Sequence, residues 1–212
     1  MTESQPVHVL LLHGIWMRAG ITARLAARLG AAGFEVTRFD YPSIRAPFSA
    51  HHARLAALID ALPRPVHLVG HSLGGVLAVD FLQRTGLPLE VVQRVACLGS
   101  PLNGSALARR LRRVRLDRLG MGHAGDALVE GLPPWTGPQA VGVIAGEVAF
   151  GLSLLLGPLP RPNDGTVAVA ETRLPGIADH VCVSAAHTAL LFSERAAALT
   201  VRFLRDGDFG DG

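Results

Sequence analysis

The segment His67 to Gln83, HLVGHSLGGVLAVDFLQ, limits this chain more than any other. Apolar residues run into Gly-His-Ser-Leu-Gly-Gly, and those lead directly into an amphipathic pattern. A strand and a helix therefore meet with almost no loop between them. Either the glycines serve only a tight turn ending in an N-cap serine, or the turn holds Ser72 in a strained, exposed conformation. In such a turn, side chains at Gly70 and Gly74 would collide with neighbouring backbone. A helix beginning near Leu73 would aim its first N–H groups at negative charge forming beside Ser72.

The rest of the chain repeats this alternation. Short apolar runs at 7–12, 35–39, 66–69, 91–98, 141–145 and 180–183 read as strands. Helical patterns occupy 22–32, 50–62, 73–84 and 189–204, with Thr22 as a cap and Gly33 and Gly86 as stops. Strands that are apolar throughout belong to a sheet covered on both faces. The expected fold class is α/β, with about six mostly parallel strands and helices on both faces. Ligands of such sheets bind beyond the carboxyl ends of the strands. The residues there are His13-Gly14, Asp40, residues 70–75, Gly99-Ser100-Pro101 and the segment leading to Asp164. One domain over residues 1–212 is expected. Residues 104–140 and 146–163 fit the alternation poorly and read as irregular, lid-like insertions over that edge. The tail RDGDFGDG reads as frayed.

A content of 49% hydrophobic and 17% charged residues excludes a disordered chain. All 20 basic residues are Arg, and the net charge of +3 is too modest to imply nucleic acid. The opening MTESQPVHVLLLHG lacks a basic leader region, and no run reaches the ~18 apolar residues of a membrane span. Two cysteines are too few for a disulfide framework. A cytoplasmic protein is expected. The histidines lack metal-site spacing, so neither a metal nor another cofactor is expected.

A serine hydroxyl needs a base to act as a nucleophile near pH 7. His187 is the candidate, because it follows the sixth strand and precedes the last helix. His180 is its rival, at the opposite end of that strand. His8, His51, His52, His67 and His123 read as packed or surface residues. The base in turn needs a carboxylate to fix its tautomer. Asp164, in RPNDGTVAV, stands on a turn after the fifth strand, and the alternative is that Asn163-Asp164-Gly165 is only a turn. Asp179 borders the wrong strand end, Asp126 lies in an insertion, and Asp40 suits a local N–H cap.

LLLHGIW, LVGHSLGG, LGSPLNGS, RPNDGTV and SAAHTALLFS, in that order, resemble the α/β-hydrolase family and its small lipase and esterase branch. The resemblance implies a nucleophile, acid and base in the chain order Ser72, Asp164, His187. It implies a first strand lying centrally. The two antiparallel strands usual at the N-terminal edge are missing, so the fold would be a minimal α/β-hydrolase. An oxyanion hole would come from the backbone N–H groups of Leu73 and Ile15. His13, Gly14, Gly70, His71 and Gly74 would be its supporting residues, with Gly14 for the turn and His13 as a brace. The same strand order sets Cys97 and Cys182 two strand spacings apart, about 9.6 Å, beyond the disulfide reach of about 7 Å.

The activity implied is hydrolysis of a small-molecule or lipid ester through an acyl-enzyme. A thioesterase, an acyltransferase and a non-catalytic binding protein of the same fold remain open. Trp16, Met17, Trp135, Phe150 and residues 152–156 are candidates for an apolar acyl pocket. AFGLSLLLGPL reads as an acyl channel, a lid or core packing. In ARRLRRVRLDRL, after a cap at Ser105, six arginines (109, 110, 112, 113, 115 and 118) face one acid, Asp117. That segment reads either as a contact for an anionic membrane or acidic head group, or as a solvated helix face.

Overall fold

The computed structural model describes residues 6–210. Part of the N-terminal reading, residues 1–5, and the last two residues of the tail lie outside it. Strands β1 (His8–Leu12), β2 (Glu35–Phe39), β3 (Val66–His71), β4 (Val92–Leu98), β5 (Ala140–Gly146) and β6 (Asp179–Val183) form one sheet. Its order is β2-β1-β3-β4-β5-β6, and all five pairings are parallel. The sheet is thus wholly rather than mostly parallel. β1 lies inside it, one strand from the β2 edge, and β3 and β4 take the middle.

Period-two side chains explain why the strands are apolar throughout. Leu10, Leu12, Leu68, Val95 and Cys97 enter one core, while Val9, Leu11, Val69, Ala96 and Leu98 enter the other. The first core is covered by α2 (Phe48–Asp60) and α3 (Leu73–Thr85), the second by α1 (Ala23–Ala31) and α9 (Glu194–Asp206). Gly86 closes α3 in the left-handed conformation at φ 60°, as a C-terminal stop should. Thr22 does precede α1, but its hydroxyl donates to Ala19 O instead of capping.

Several expectations change. Residues 106–130 are largely helical where the insertion was expected to be irregular, whereas 131–139 have no regular structure and Ala140 already belongs to β5. The helical part carries α4 (Ala106–Arg113), α5 (Asp117–Met121) and α6 (Gly125–Glu130), with Ser105 capping α4 through Ala108 N–H. The apolar run 152–156 is not core. It forms one turn, α7 (Ser153–Leu156), with Leu154 and Leu155 exposed. The expected last helix starts late, because Thr188–Leu191 is a separate 3-10 turn and Ser193 caps α9. A further single turn, α8 (Val169–Thr172), follows Asp164. The tail is tied down as far as it is described. Phe209 is buried against Phe203, and its N–H donates to Asp179 at 2.7 Å. No helix among the described residues is long and apolar enough to cross a membrane.

Candidate active site

Ser72 sits between β3 and α3 at φ 53°, ψ −121°, a conformation that costs a non-glycine residue about 1–3 kcal/mol. Its surroundings hold it there. Its N–H donates to Leu98 O at 2.8 Å, and its carbonyl accepts from Gly75 N–H at 3.1 Å. A Cβ on Gly74 would lie 2.5 Å from Leu12 O and 2.7 Å from His13 O, so only glycine lets α3 start against the end of β1. A Cβ on Gly70 would overlap the backbone of Gly74 and Gly75. These are the collisions that the sequence implies.

His187 stands between β6 and the 3-10 turn. Its backbone N–H donates to Asp164 O at 2.9 Å. Its Nδ1 lies 2.7 Å from Asp164 Oδ2. An ionised carboxylate only accepts, so the imidazole proton sits on Nδ1 and the Nε2 lone pair is left free. The other carboxylate oxygen, Oδ1, accepts from the N–H groups of Thr166 and Val167 at 2.9 and 2.7 Å. Asp164 is nearly fully buried, and the turn around it exists to satisfy it. Sequence reasoning missed what makes room for the pair. Gly99, at φ 58°, would bring a Cβ to 3.1 Å from His187 Nδ1 and 3.2 Å from Asp164 Oδ2, and one on Gly146 would lie 2.8 Å from Asp164 Cβ. Both follow or end strands, which is the only signal that marks them.

The rivals stand elsewhere. His180 Nε2 pairs with the Thr172 hydroxyl at 2.8 Å, and burial holds its pKa down to about 4. Asp179 accepts from the backbone at His180 and Phe209, and Asp126 pairs with Arg112. Asp40 caps Ala19 N–H at 2.9 Å and pairs with Arg18 at 2.6 Å.

His71 is buried beside His187, the ring centroids 4.8 Å apart. Its Nε2–H donates to the His187 carbonyl at 3.1 Å, and burial pushes its pKa down to about 3. It stays neutral and secures the His187 backbone without adding charge. His13 braces the loop after β1. Tyr41 N–H donates to its Nε2 at 3.2 Å, its Nδ1–H donates to Gly14 O at 2.9 Å, and its pKa is lowered, chiefly by burial. Tyr41 completes the brace, with its ring stacked on His13 and its hydroxyl donating to His13 O at 2.7 Å. Tyr41 was missed, although it follows β2 at the same edge. Gly14 also lets the loop pack closely: a Cβ there would lie 3.1 Å from His71 Nδ1 and 3.2 Å from Met17 Sδ and Ser72 Cβ, tight contacts that neighbours would have to yield to. Trp16, at φ 59°, is pinned through Ser43 Oγ and Gly120 O. The N–H groups of Ile15 and Leu73 have no hydrogen-bond partner among the described residues.

Ser72 and His187 open onto one apolar cavity of about 520 Å³, lined by Trp16, Met17, Phe150, Leu152 and Leu155 among others. No hydrogen bond closes between the Ser72 hydroxyl and His187 in this structure. A narrower void of about 50 Å³ reaches Ser72 between Leu107, Leu111, Met121 and Leu128. Trp135 does not contribute, contrary to expectation. It is buried in the core under α3, its indole N–H donating to Gln139 O at 3.0 Å. Cys97 and Cys182 are unbridged, with β5 between their strands. No group of three or more His, Cys, Asp or Glu that could hold a metal ion is found among the described residues.

A parallel sheet with a strained serine elbow at its carboxyl edge defines a hydrolase-type α/β fold. The model of the Alpha/beta hydrolase family matches residues 9–207, and the chain belongs to that family. No curated protein sequence matches it. Among solved structures it is similar to the mature form of the Bacillus licheniformis lipase BlEst2, at TM-score 0.72 and 20% identity over 96% of this chain and 92% of that one. It is also similar to the metagenomic carboxyl esterase MGS0156, at TM-score 0.69 and 16% identity over 89% and 66% of the two chains. A bromoperoxidase from Bacillus anthracis matches at TM-score 0.67 and 13% identity, over 96% and 94%. Identities this low establish the shared fold alone.

Proposed function

We propose that the protein hydrolyses carboxylic esters through an acyl-enzyme on Ser72. What carries the reading is the Asp164–His187 pair at 2.7 Å, opening with a strained serine onto the same apolar cavity. An ester carbonyl enters the cavity beside Ser72, and the Ser72 hydroxyl turns to hydrogen-bond His187 Nε2. His187 Nε2 takes the Ser72 proton as Oγ attacks the acyl carbon, and Asp164 steadies the imidazolium. The carbonyl oxygen becomes an oxyanion held by the Leu73 and Ile15 N–H groups, each donor contributing about 2.7–4 kcal/mol. His187 then returns the proton to the leaving alcohol. Water, deprotonated by the same nitrogen, attacks the acyl-enzyme and releases the acid and free Ser72. No cofactor enters this cycle. The apolar lining favours a small-molecule or lipid ester over a charged substrate, and residues 146–163 serve as a partial cover.

Purified protein offered p-nitrophenyl esters of several chain lengths, beside the matching acyl-CoA thioesters, tests the reading. Esters should be turned over faster, and Asp164→Asn should lower kcat by about 10⁴ as the wrong tautomer is favoured. Thioesters turned over faster would make the protein a thioesterase. No turnover of either would leave a binding protein of the fold.

A further inference from the structure

The mouth of the cavity is more apolar than a soluble surface needs to be. Phe150 is 70% exposed, Leu154 67%, Leu155 85% and Leu119 83%, with Trp16, Val114 and Leu116 exposed beside them. These residues come from three separate segments that the structure ties together. The Trp16 indole N–H donates to Gly120 O at 2.6 Å, which joins the loop after β1 to α5. The Arg110 guanidinium donates to Leu156 O and Pro158 O, which joins α4 to the segment carrying Leu154 and Leu155. Exposed apolar residues gathered in this way mark an interaction surface.

The arginines of the same segment divide into two sets. Arg109 pairs with Glu171, Arg110 holds the two carbonyls, and Arg112 engages Asp117 and Asp126. Arg113, Arg115 and Arg118 are exposed and have no ion pair or side-chain hydrogen bond among the described residues. They alternate with the exposed Val114, Leu116 and Leu119. Apolar side chains that enter acyl chains, interleaved with cations at head-group level, suit a lipid–water interface. A second copy of this chain suits the face poorly, because a two-fold contact would set the three free arginines near their own copies.

We propose that this face docks the protein on an anionic phospholipid bilayer, with the cavity mouth turned toward the lipid. The hydrolase reading explains why the surface surrounds the cavity, but the docking itself needs no catalysis. Flotation of the full chain carrying Ser72→Ala, so that no lipid is consumed, tests it with phosphatidylcholine vesicles and with vesicles containing phosphatidylglycerol. The protein should float with the anionic vesicles and be released by high salt. Exchanging Arg113, Arg115 and Arg118 for Gln should weaken binding about fivefold for each arginine removed. Leu116→Ser with Leu119→Ser, both exposed and outside the cavity lining, should weaken it as well. Hydrolysis of a soluble short-chain ester by otherwise unchanged protein should persist in both variants, which keeps docking separate from the chemistry. Equal binding to neutral and anionic vesicles, no binding, or a dimer that the serine variant dissociates would each overturn the proposal.

Discussion

At the scale of single residues, Ser72 is held at φ 53° by its neighbours and not by its own preference. Leu98 O fixes its N–H, and the bare Cα of Gly74 lets α3 press on the end of β1. Gly74→Ala would push a methyl into two backbone carbonyls that cannot rotate away. The variant should lose about 1–3 kcal/mol in urea unfolding and most of its ester turnover, because relief of the clash moves Ser72 itself. This part of the site was legible from sequence, since a serine flanked by glycines at a strand–helix joint leaves few backbone solutions. The glycines beside Asp164 and His187 were not legible. Gly99 and Gly146 matter through contacts with residues far along the chain, and their place at strand ends marks the edge without saying what they make room for.

At the scale of elements, β1 to β6 and the helices that face them could be read because each has its own periodicity. The segments at the cavity mouth could not. Residues 106–130 form short helices braced by side chains from elsewhere; the cap at Ser105 marks the first of them, and the others have little pattern of their own. Glu171 is the clearest example. Its two carboxylate oxygens accept from Ala106 N–H at the start of α4 and Ala168 N–H at the start of α8. Burial raises its pKa, yet those two donors keep a carboxylate useful there. Glu171→Ala would leave two helix-terminal N–H groups without an acceptor, at a cost of about 1–3 kcal/mol. Hydrogen exchange should then speed up across Ala106–Arg113 and leave β3 and β4 unchanged. Uniform loss of protection over the whole sheet would show that α4 is not an independent unit.

At the scale of the whole molecule, the fold brings histidines into places where burial disfavours their charged form. Burial holds His67 and His180 down to about 4 and His71 to about 3, and lowers His13 and His51. An unfolded chain protonates all five near 6.5, so below that pH it binds more protons than the folded one. Stability should therefore be steady above about pH 7 and fall as pH drops from 6.5 toward 4. Glu171, with its raised pKa, works the other way but is a single group. A urea midpoint no lower at pH 5 than at pH 7.5 would contradict this. The order of the strands also joins residues 72, 164 and 187 at one edge, and the account depends on their acting together. Labelling of the folded protein with a fluorophosphonate, followed by peptide mapping, tests that most directly. The account predicts one adduct, on Ser72, formed far more slowly in His187→Ala. An adduct on another residue, or a rate unchanged by the loss of His187, would contradict it.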